Sequence, residues 1–184
     1  MDSFFHKESG KTRTKHRAMA VTEPAIPPGL QTHAASLDLD CSPEEAFTLL
    51  CAVEKWPVWL SLLRSARRPR AEESLEVGSE VVLRSSLPGA EEELYEIDGL
   101  IANYRLSLVG AYSLRRRLEF RIERRTTCSK LHVRLCYPAY YGRVGSLIDR
   151  WQRGRRVASA LDDSLVHFKG LVEYNRDAAV LADF

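Results

Sequence analysis

The amino-acid sequence predicts an α+β fold in which a seven-stranded antiparallel sheet wraps around one long C-terminal helix, with two short helices after strand 1. Three patterns carry this prediction. Apolar and polar residues alternate in short runs through the middle of the chain, a helix-start signature follows the first such run, and an apolar stripe at helical spacing occupies the last third.

The first strand is expected from Ala35, where Ala35, Leu37, Leu39 and Cys41 alternate with Ser36, Asp38 and Asp40. Ser42-Pro43-Glu44-Glu45 then reads as a capping box with proline at the first helical position. Ala46, Phe47, Leu50 and Val53 share one face of that helix, and Pro57 ends it and begins a second short one. Strands are expected at about 65–72, 79–87, 91–98, 101–109, 112–125 and 128–137, with Pro88-Gly89, Asp98-Gly99 and Gly110 as turn signals. Turns this short make neighbouring strands antiparallel. One face is apolar and the other polar, so the sheet covers something on one side and meets water on the other.

From Arg143 to Glu173 the stripe comprises Val144, Leu147, Trp151, Gly154, Ala158, Leu161, Leu165, Phe168 and Val172. A helix of about 30 residues spans roughly 45 Å, enough to cross a twisted sheet. A coiled coil is the competing reading, but the strands need a helix to cover their apolar face.

Length and composition fit one globular domain. Residues 1–33 are polar, carry Lys7, Lys11, Arg13, Lys15 and Arg17, and read as a flexible basic arm. The domain is expected over 34–175, with a short tail over 176–184. The chain has 27 basic and 25 acidic residues, which excludes a histone-like polycation. No stretch approaches the ~20 apolar residues of a membrane span. The first 33 residues hold no apolar core of a secretory leader. Cys41, Cys51, Cys128 and Cys136 show no C-x-x-C spacing, so the expectation is a cytoplasmic protein with free thiols, no metal and no cofactor.

The segments Leu37-Asp38-Leu39-Asp40-Cys41-Ser42-Pro43-Glu44-Glu45-Ala46-Phe47, Glu54-Lys55-Trp56-Pro57-Val58-Trp59 and Leu75-Glu76-Val77-Gly78-Ser79, with the closing stretch from Ala160 to Glu173, resemble the START-like (SRPBCC) superfamily. The likeness points to its polyketide cyclase/dehydrase and lipid-transport branch and covers about 35–174. It departs at Thr126-Thr127-Cys128-Ser129, where many relatives have a Gly-Thr turn. The resemblance implies the helix-grip fold, with a pocket between sheet and helix.

The stripe itself suits such a pocket. Bulky Leu147 and Trp151 lie on one side, Leu161, Leu165 and Phe168 on the other, and Gly154 and Ala158 between them. Glycine costs about 1 kcal/mol relative to alanine inside a helix. Either close approach of a strand or room for a ligand would offset that cost.

Strand phase drafts the wall: Val81, Leu83 and Ser85; Tyr104, Leu106 and Leu108; Leu118, Phe120 and Ile122; and Leu131, Val133, Leu135 and Tyr137, with Trp56, Trp59 and Leu63 as a lid at the mouth. Ordinary core packing is the competing reading of each residue. The expected inward polar groups are Ser85, Tyr104 and Tyr137, which suits a lipid, isoprenoid, quinone or polycyclic aromatic with one or two hydrogen-bonding groups.

The leading expectation is therefore binding or transport of a hydrophobic small molecule. One alternative is a polyketide cyclase/aromatase or dehydratase using Tyr104 or Tyr137 as proton donor. Another is a protein-interaction module with a closed cavity. No Ser-His-Asp set, phosphate-binding loop or nucleotide fingerprint is present.

Arginines cluster at 64–70, 115–117 and 143–156, while 72–98 is acidic. The clusters suit transient contact with an anionic membrane surface or an acidic protein, pairing with the acidic strands, or plain solvation. Nucleic acid is not an expected partner, because exposed aromatics do not interleave with the basic residues.

Overall fold

The computed structural model describes residues 30–86, 91–126, 128–138 and 145–182, of which 113–115, 145–153 and 177–182 are described by backbone alone. The strands are β1 (Leu30–Leu39), β2 (Leu63–Arg67), β3 (Glu80–Ser85), β4 (Glu92–Ile101), β5 (Arg105–Gly110), β6 (Ser113–Arg124) and β7 (Ser129–Pro138). The helices are α1 (Pro43–Cys51), α2 (Trp56–Trp59) and α3 (Gly145–Ala182), with a single 3-10 turn at Val53–Lys55. All strand pairs are antiparallel, in the order β1-β7-β6-β5-β4-β3-β2. The curled sheet grips α3, as the alternation and the stripe predict.

Local chemistry sets these elements. The Glu45 backbone N–H donates to Ser42 Oγ at 3.2 Å, and the Ser42 N–H donates to the Glu45 carboxylate at 2.7 Å, which satisfies two amides that α1 would leave open. The Trp56 indole donates to the Leu50 carbonyl at 2.8 Å, folding α2 back onto α1.

The interior centres on four aromatic rings. Trp56, Trp59, Phe120 and Phe168 are all fully buried. Phe120 meets Trp56 and Trp59 edge-on at 5.3 and 5.8 Å, and Trp59 meets Phe168 at 4.8 Å. Edge-to-face contacts of this kind add about 0.5–1.5 kcal/mol beyond area burial.

Helix α3 packs chiefly over β1 and α2. Gly154, Val157, Leu161, Leu165, Phe168 and Val172 form its buried face. The Ser61 N–H donates to Ser164 Oγ at 3.0 Å, the Ser61 hydroxyl donates to the Ala160 carbonyl at 3.0 Å, and Lys169 Nζ donates to Asp40 at 2.9 Å.

The structure corrects several boundaries. Strand β1 begins at Leu30, so residues 30–33, assigned above to the arm, belong to the sheet: Leu30 to Ala34 pair with Pro138 to Arg134. Backbone pairing with β7 holds these residues in place, which a count of apolar side chains does not register. Strand β2 ends at Arg67, just before Pro69, which lacks the N–H a ladder needs.

Asp98-Gly99 is not a turn but a bulge inside β4, with the reversal at 102–104. The Ser107 hydroxyl donates to Asp98 Oδ1 at 2.7 Å, and a Cβ on Gly99 would stand 2.7 Å from that same hydroxyl oxygen. A side chain at 99 would therefore have to push the Ser107 hydroxyl off Asp98. Helix α3 continues to Ala182 and takes in most of the expected tail. Ala158 is exposed, and Val157 takes its place on the buried face, because steps of three and four from Leu161 reach 157 and 154.

Candidate functional site

The inward face of the sheet changes character along its strands. Ala35, Val133, Phe120 and Leu106 stand side by side on β1, β7, β6 and β5, forming an apolar row. Two residues along, His33, Leu135, Leu118 and Leu108 form the next row. Two further along, Gln31 pairs with Tyr137, and Tyr95 on β4 pairs with Gly110 on β5. Each step of two residues moves about 6.5–7 Å along a strand. The concave face thus runs from a closed aromatic layer to a polar band at the other end.

Two paired groups make up that band. His33 and Tyr137 stack at 5.7 Å, and the Tyr137 hydroxyl lies 3.1 Å from His33 Nε2. Burial lowers the His33 pKa from its ordinary value, so the imidazole is neutral at neutral pH. Glu93 and Arg116 form an ion pair, and Tyr95 donates its hydroxyl to the other Glu93 oxygen at 3.3 Å. Glu93 and Arg116 belong to β4 and β6, which are separated by β5. They meet because β5 ends there in Gly110, which has no side chain to stand between them. Arg116 is 24% exposed and Glu93 37%, so the pair reaches water and does not lie in the sealed core. Gln31 Oε1 is buried and accepts no hydrogen bond among the described residues.

Gly154 faces this band from α3. A Cβ there would lie 3.4 Å from His33 Cε1. The close approach that glycine allows is thus made by a strand side chain.

The predicted site residues divide into groups. Val81, Leu83, Leu106, Leu108, Leu118, Phe120, Ile122, Leu131, Val133 and Leu161 are buried in the core, and Leu63, Leu135 and Tyr137 pack half-buried against it. Ser85 is half-buried. Trp56 and Trp59 do not form a lid at the mouth, because their rings fill the centre of the core. Trp59 Nε1 is buried there without a hydrogen-bond partner among the described residues. Leu147 and Trp151 lie on the backbone of α3, and their side chains fall outside the described residues.

Tyr104 sits in the β4–β5 turn and lines a hollow on the outer face, so it is not an interior tyrosine. That hollow, about 500 Å³, is also lined by Glu119, Arg121, Glu123, His132 and Arg134. Its charges are matched internally. Glu119, 6% exposed, lies 2.9 Å from Arg105 Nε and 3.3 Å from Arg121, and His132 lies 3.3 Å from Glu123. The Arg105 N–H is not aligned for a hydrogen bond, so that contact is an ion pair only.

Sequence reasoning missed Gln31, His33, Glu93, Tyr95 and Arg116. The signal was present. Leu118, Phe120 and Ile122 point inward, and the same parity extended two residues back reaches Arg116. Extending Ala35 and Leu37 back reaches His33 and Gln31.

In the first two basic clusters, four arginines pair with the acidic segment and Arg68 pairs with a glutamate outside it. Arg67 meets Glu92, Arg68 meets Glu54, Arg70 meets Glu73, Arg116 meets Glu93 and Arg117 meets Asp98. Among the described residues no helix is long and apolar enough to cross a membrane, and no three metal-ligating side chains converge.

No family model and no curated protein matches the sequence. Solved structures do match. An aromatase/cyclase from Streptomyces sp. R1128 superposes with a TM-score of 0.65 at 12% identity, over 82% of this chain and 98% of that one. A protein from Thermus thermophilus gives 0.62 at 10% identity, over 79% and 99%. The Aha1 protein of Colwellia psychrerythraea, solved as a dimer, gives 0.54 at 14%, over 78% and 96%. This chain has the START-like helix-grip fold. At these identities the likeness is one of fold.

Proposed function

We propose that this START-like chain binds a hydrophobic small molecule between the concave face of the sheet and α3, with the polar end of the ligand at the His33–Tyr137 and Glu93–Arg116 band. The observation that carries this reading is the gradient of the inward face. Fully buried Phe120 gives way to Leu118 and then to the half-exposed ion pair of Arg116. A core built for packing alone gains nothing from inward ionic groups, whose desolvation opposes folding. A site for an amphipathic guest needs an apolar wall and a few placed polar groups. The helix-grip likeness to an aromatase/cyclase is consistent with a guest of this kind.

The test is native mass spectrometry of the freshly purified full chain, followed by titration with naphthylmethanol. A retained small-molecule mass, displaced by the probe, supports the reading. A bare chain that binds no naphthylmethanol overturns it.

A second reading, a cyclase or dehydratase, is favoured by one observation, the hydrogen bond between Tyr137 and a neutral His33. A neutral imidazole can accept the phenol proton or present its own, which neither residue would do alone. This reading requires Tyr137→Phe to abolish turnover of an oxygenated substrate while binding persists.

A further inference from the structure

We infer that residues 11–21 of this chain dock on the outer face of its own sheet, setting basic side chains on a Glu80–Glu96 pair and apolar ones beside it. This surface is separate from the concave face and does not depend on the binding reading above.

The outer face of β3, β4 and β5 carries an uncompensated charge. Glu80 on β3 stands directly opposite Glu96 on β4, and both are exposed. Like charges directly opposite in an antiparallel pair are destabilising. The arginines in register beside this face are engaged elsewhere: Arg67 pairs with Glu92, and Arg117 with Asp98. Neither Glu80 nor Glu96 has an ion-pair partner among the described residues. Next to them Val82 stands opposite Leu94, and Val109 opposite Glu96. These three apolar residues alternate with the buried, inward Val81, Ile97 and Leu108, and are themselves half-buried on the outer side.

The chain holds a segment of matching chemistry. Lys11, Arg13, Lys15 and Arg17 alternate with Thr12, Thr14 and His16, and Ala18-Met19-Ala20-Val21 follows at once. An extended segment sets every second side chain on one side, so the four cations share a side at intervals of about 6.5–7 Å. Directly opposed residues in a sheet have Cβ atoms about 4.5–5.5 Å apart, so two successive cations bracket the glutamate pair.

Order and reach agree with this match. Residues 1–29 lie outside the described residues, and Leu30 opens β1. One cross-strand row joins that exit to the glutamates: Thr32, Cys136, Arg117, Val109, Glu96 and Glu80. With strands about 4.8 Å apart, Val109 lies about 14 Å along this row from Thr32, Glu96 about 19 Å and Glu80 about 24 Å. A flexible run spans about 5–6 Å times the square root of its length, which gives about 17 Å from Leu30 to Val21 and about 20 Å to Arg17. The apolar stretch thus reaches the apolar residues first, and the cations reach the glutamates beyond them. The covalent tether keeps the segment at high local concentration, so surface ion pairs that are weak singly suffice to hold it.

The test is limited trypsin digestion of the full chain, with the cuts after Arg13, Lys15 and Arg17 timed by mass spectrometry. At low salt these cuts should be about fivefold slower in the native chain than in Glu80→Gln/Glu96→Gln, the size expected of two exposed ion pairs. At about 1 M salt, where charges are screened within about 3 Å, the two chains should be cut alike.

Equal rates at low salt overturn the proposal. Protection that falls on dilution overturns it too, because the occupant would then be the arm of a second copy. Should the double variant not fold, Arg13→Gln/Arg17→Gln, which alters only the arm, must speed the cut after Lys15 by a similar factor, and an unchanged rate there overturns the docking.

Discussion

The Tyr137 hydroxyl and His33 Nε2 lie 3.1 Å apart although the two residues are 104 positions apart in the chain. Their rings are stacked with 15° between planes, so the bond is held by the pairing of β1 with β7 and not by a flexible side chain. Removing the phenol oxygen should cost one net hydrogen bond, about 0.5–1.5 kcal/mol. Because Tyr137→Phe also removes a polar group from the proposed ligand end, naphthylmethanol binding is expected to weaken by roughly three- to tenfold. Tyr104→Phe should leave it unchanged, because Tyr104 lines the outer hollow. Calorimetric titration of the two variants distinguishes the faces, and an equal effect of both would contradict the assignment.

Burial holds His33 below its ordinary pKa of 6.5, and the sign of the consequence follows from proton linkage. Between the folded and unfolded values the unfolded chain binds more protons, so stability falls as pH drops below about 6.5 toward the folded value. Glu45, held below the usual carboxylate range by the Ser42 hydroxyl and the Ser42 backbone N–H, acts only at more acidic pH. Urea unfolding of native chain and His33→Gln between pH 7 and about 5 should show a slope in the first that is reduced in the second. Parallel curves would remove His33 as the source.

Gly154 stands against His33, and its two substitutions should part company. Gly154→Ala recovers about 1 kcal/mol of helix propensity but brings a methyl to the imidazole edge, so the net change in stability should be small. Gly154→Leu must displace His33 from Tyr137. Its expected signature is loss of probe binding by about tenfold or more with the secondary structure intact. Circular dichroism and the naphthylmethanol titration measure both, and undiminished binding to Gly154→Leu would place the ligand elsewhere.

The aromatic layer and the α1 cap carry stability, not selectivity. Phe120→Ala should destabilise by about 3–5 kcal/mol, the range for emptying a buried aromatic site. Ser42→Ala should cost about 1 kcal/mol through the lost capping box. Chemical denaturation gives both values, and a Phe120→Ala cost under about 1 kcal/mol would mean that the layer is not closed.

Much of this architecture was legible in the sequence because alternation and helical spacing are properties of apolar side chains, and the apolar half of the concave face obeys them from Leu106 to Val133. The polar band was overlooked for the same reason. Arg116 reads as one of three consecutive arginines and His33 as the end of a tail, so their inward phase shows only when the alternation of Leu118 and Ala35 is carried back past the last apolar residue. Tyr104 misled because its parity with Leu106 holds only if the strand continues, whereas Asn103, at φ 60, sits in the reversal just before it. Ala158 misled by a fraction of a helical turn. The Asp98 bulge depends on Ser107, a partner that the Asp-Gly pair alone does not disclose.

Strand β1 lies at the end of the sheet and pairs with β7, with Leu39 opposite Ser129 and Leu30 opposite Pro138. During synthesis this early strand therefore emerges long before its partner and keeps Ala35, Leu37 and Leu39 uncovered until the final strand and helix leave the ribosome. Contacts so distant along the chain slow folding. The nascent polypeptide thus passes through a window in which β1 is open to chaperones and to aggregation, and that window stays open until β7 has been made.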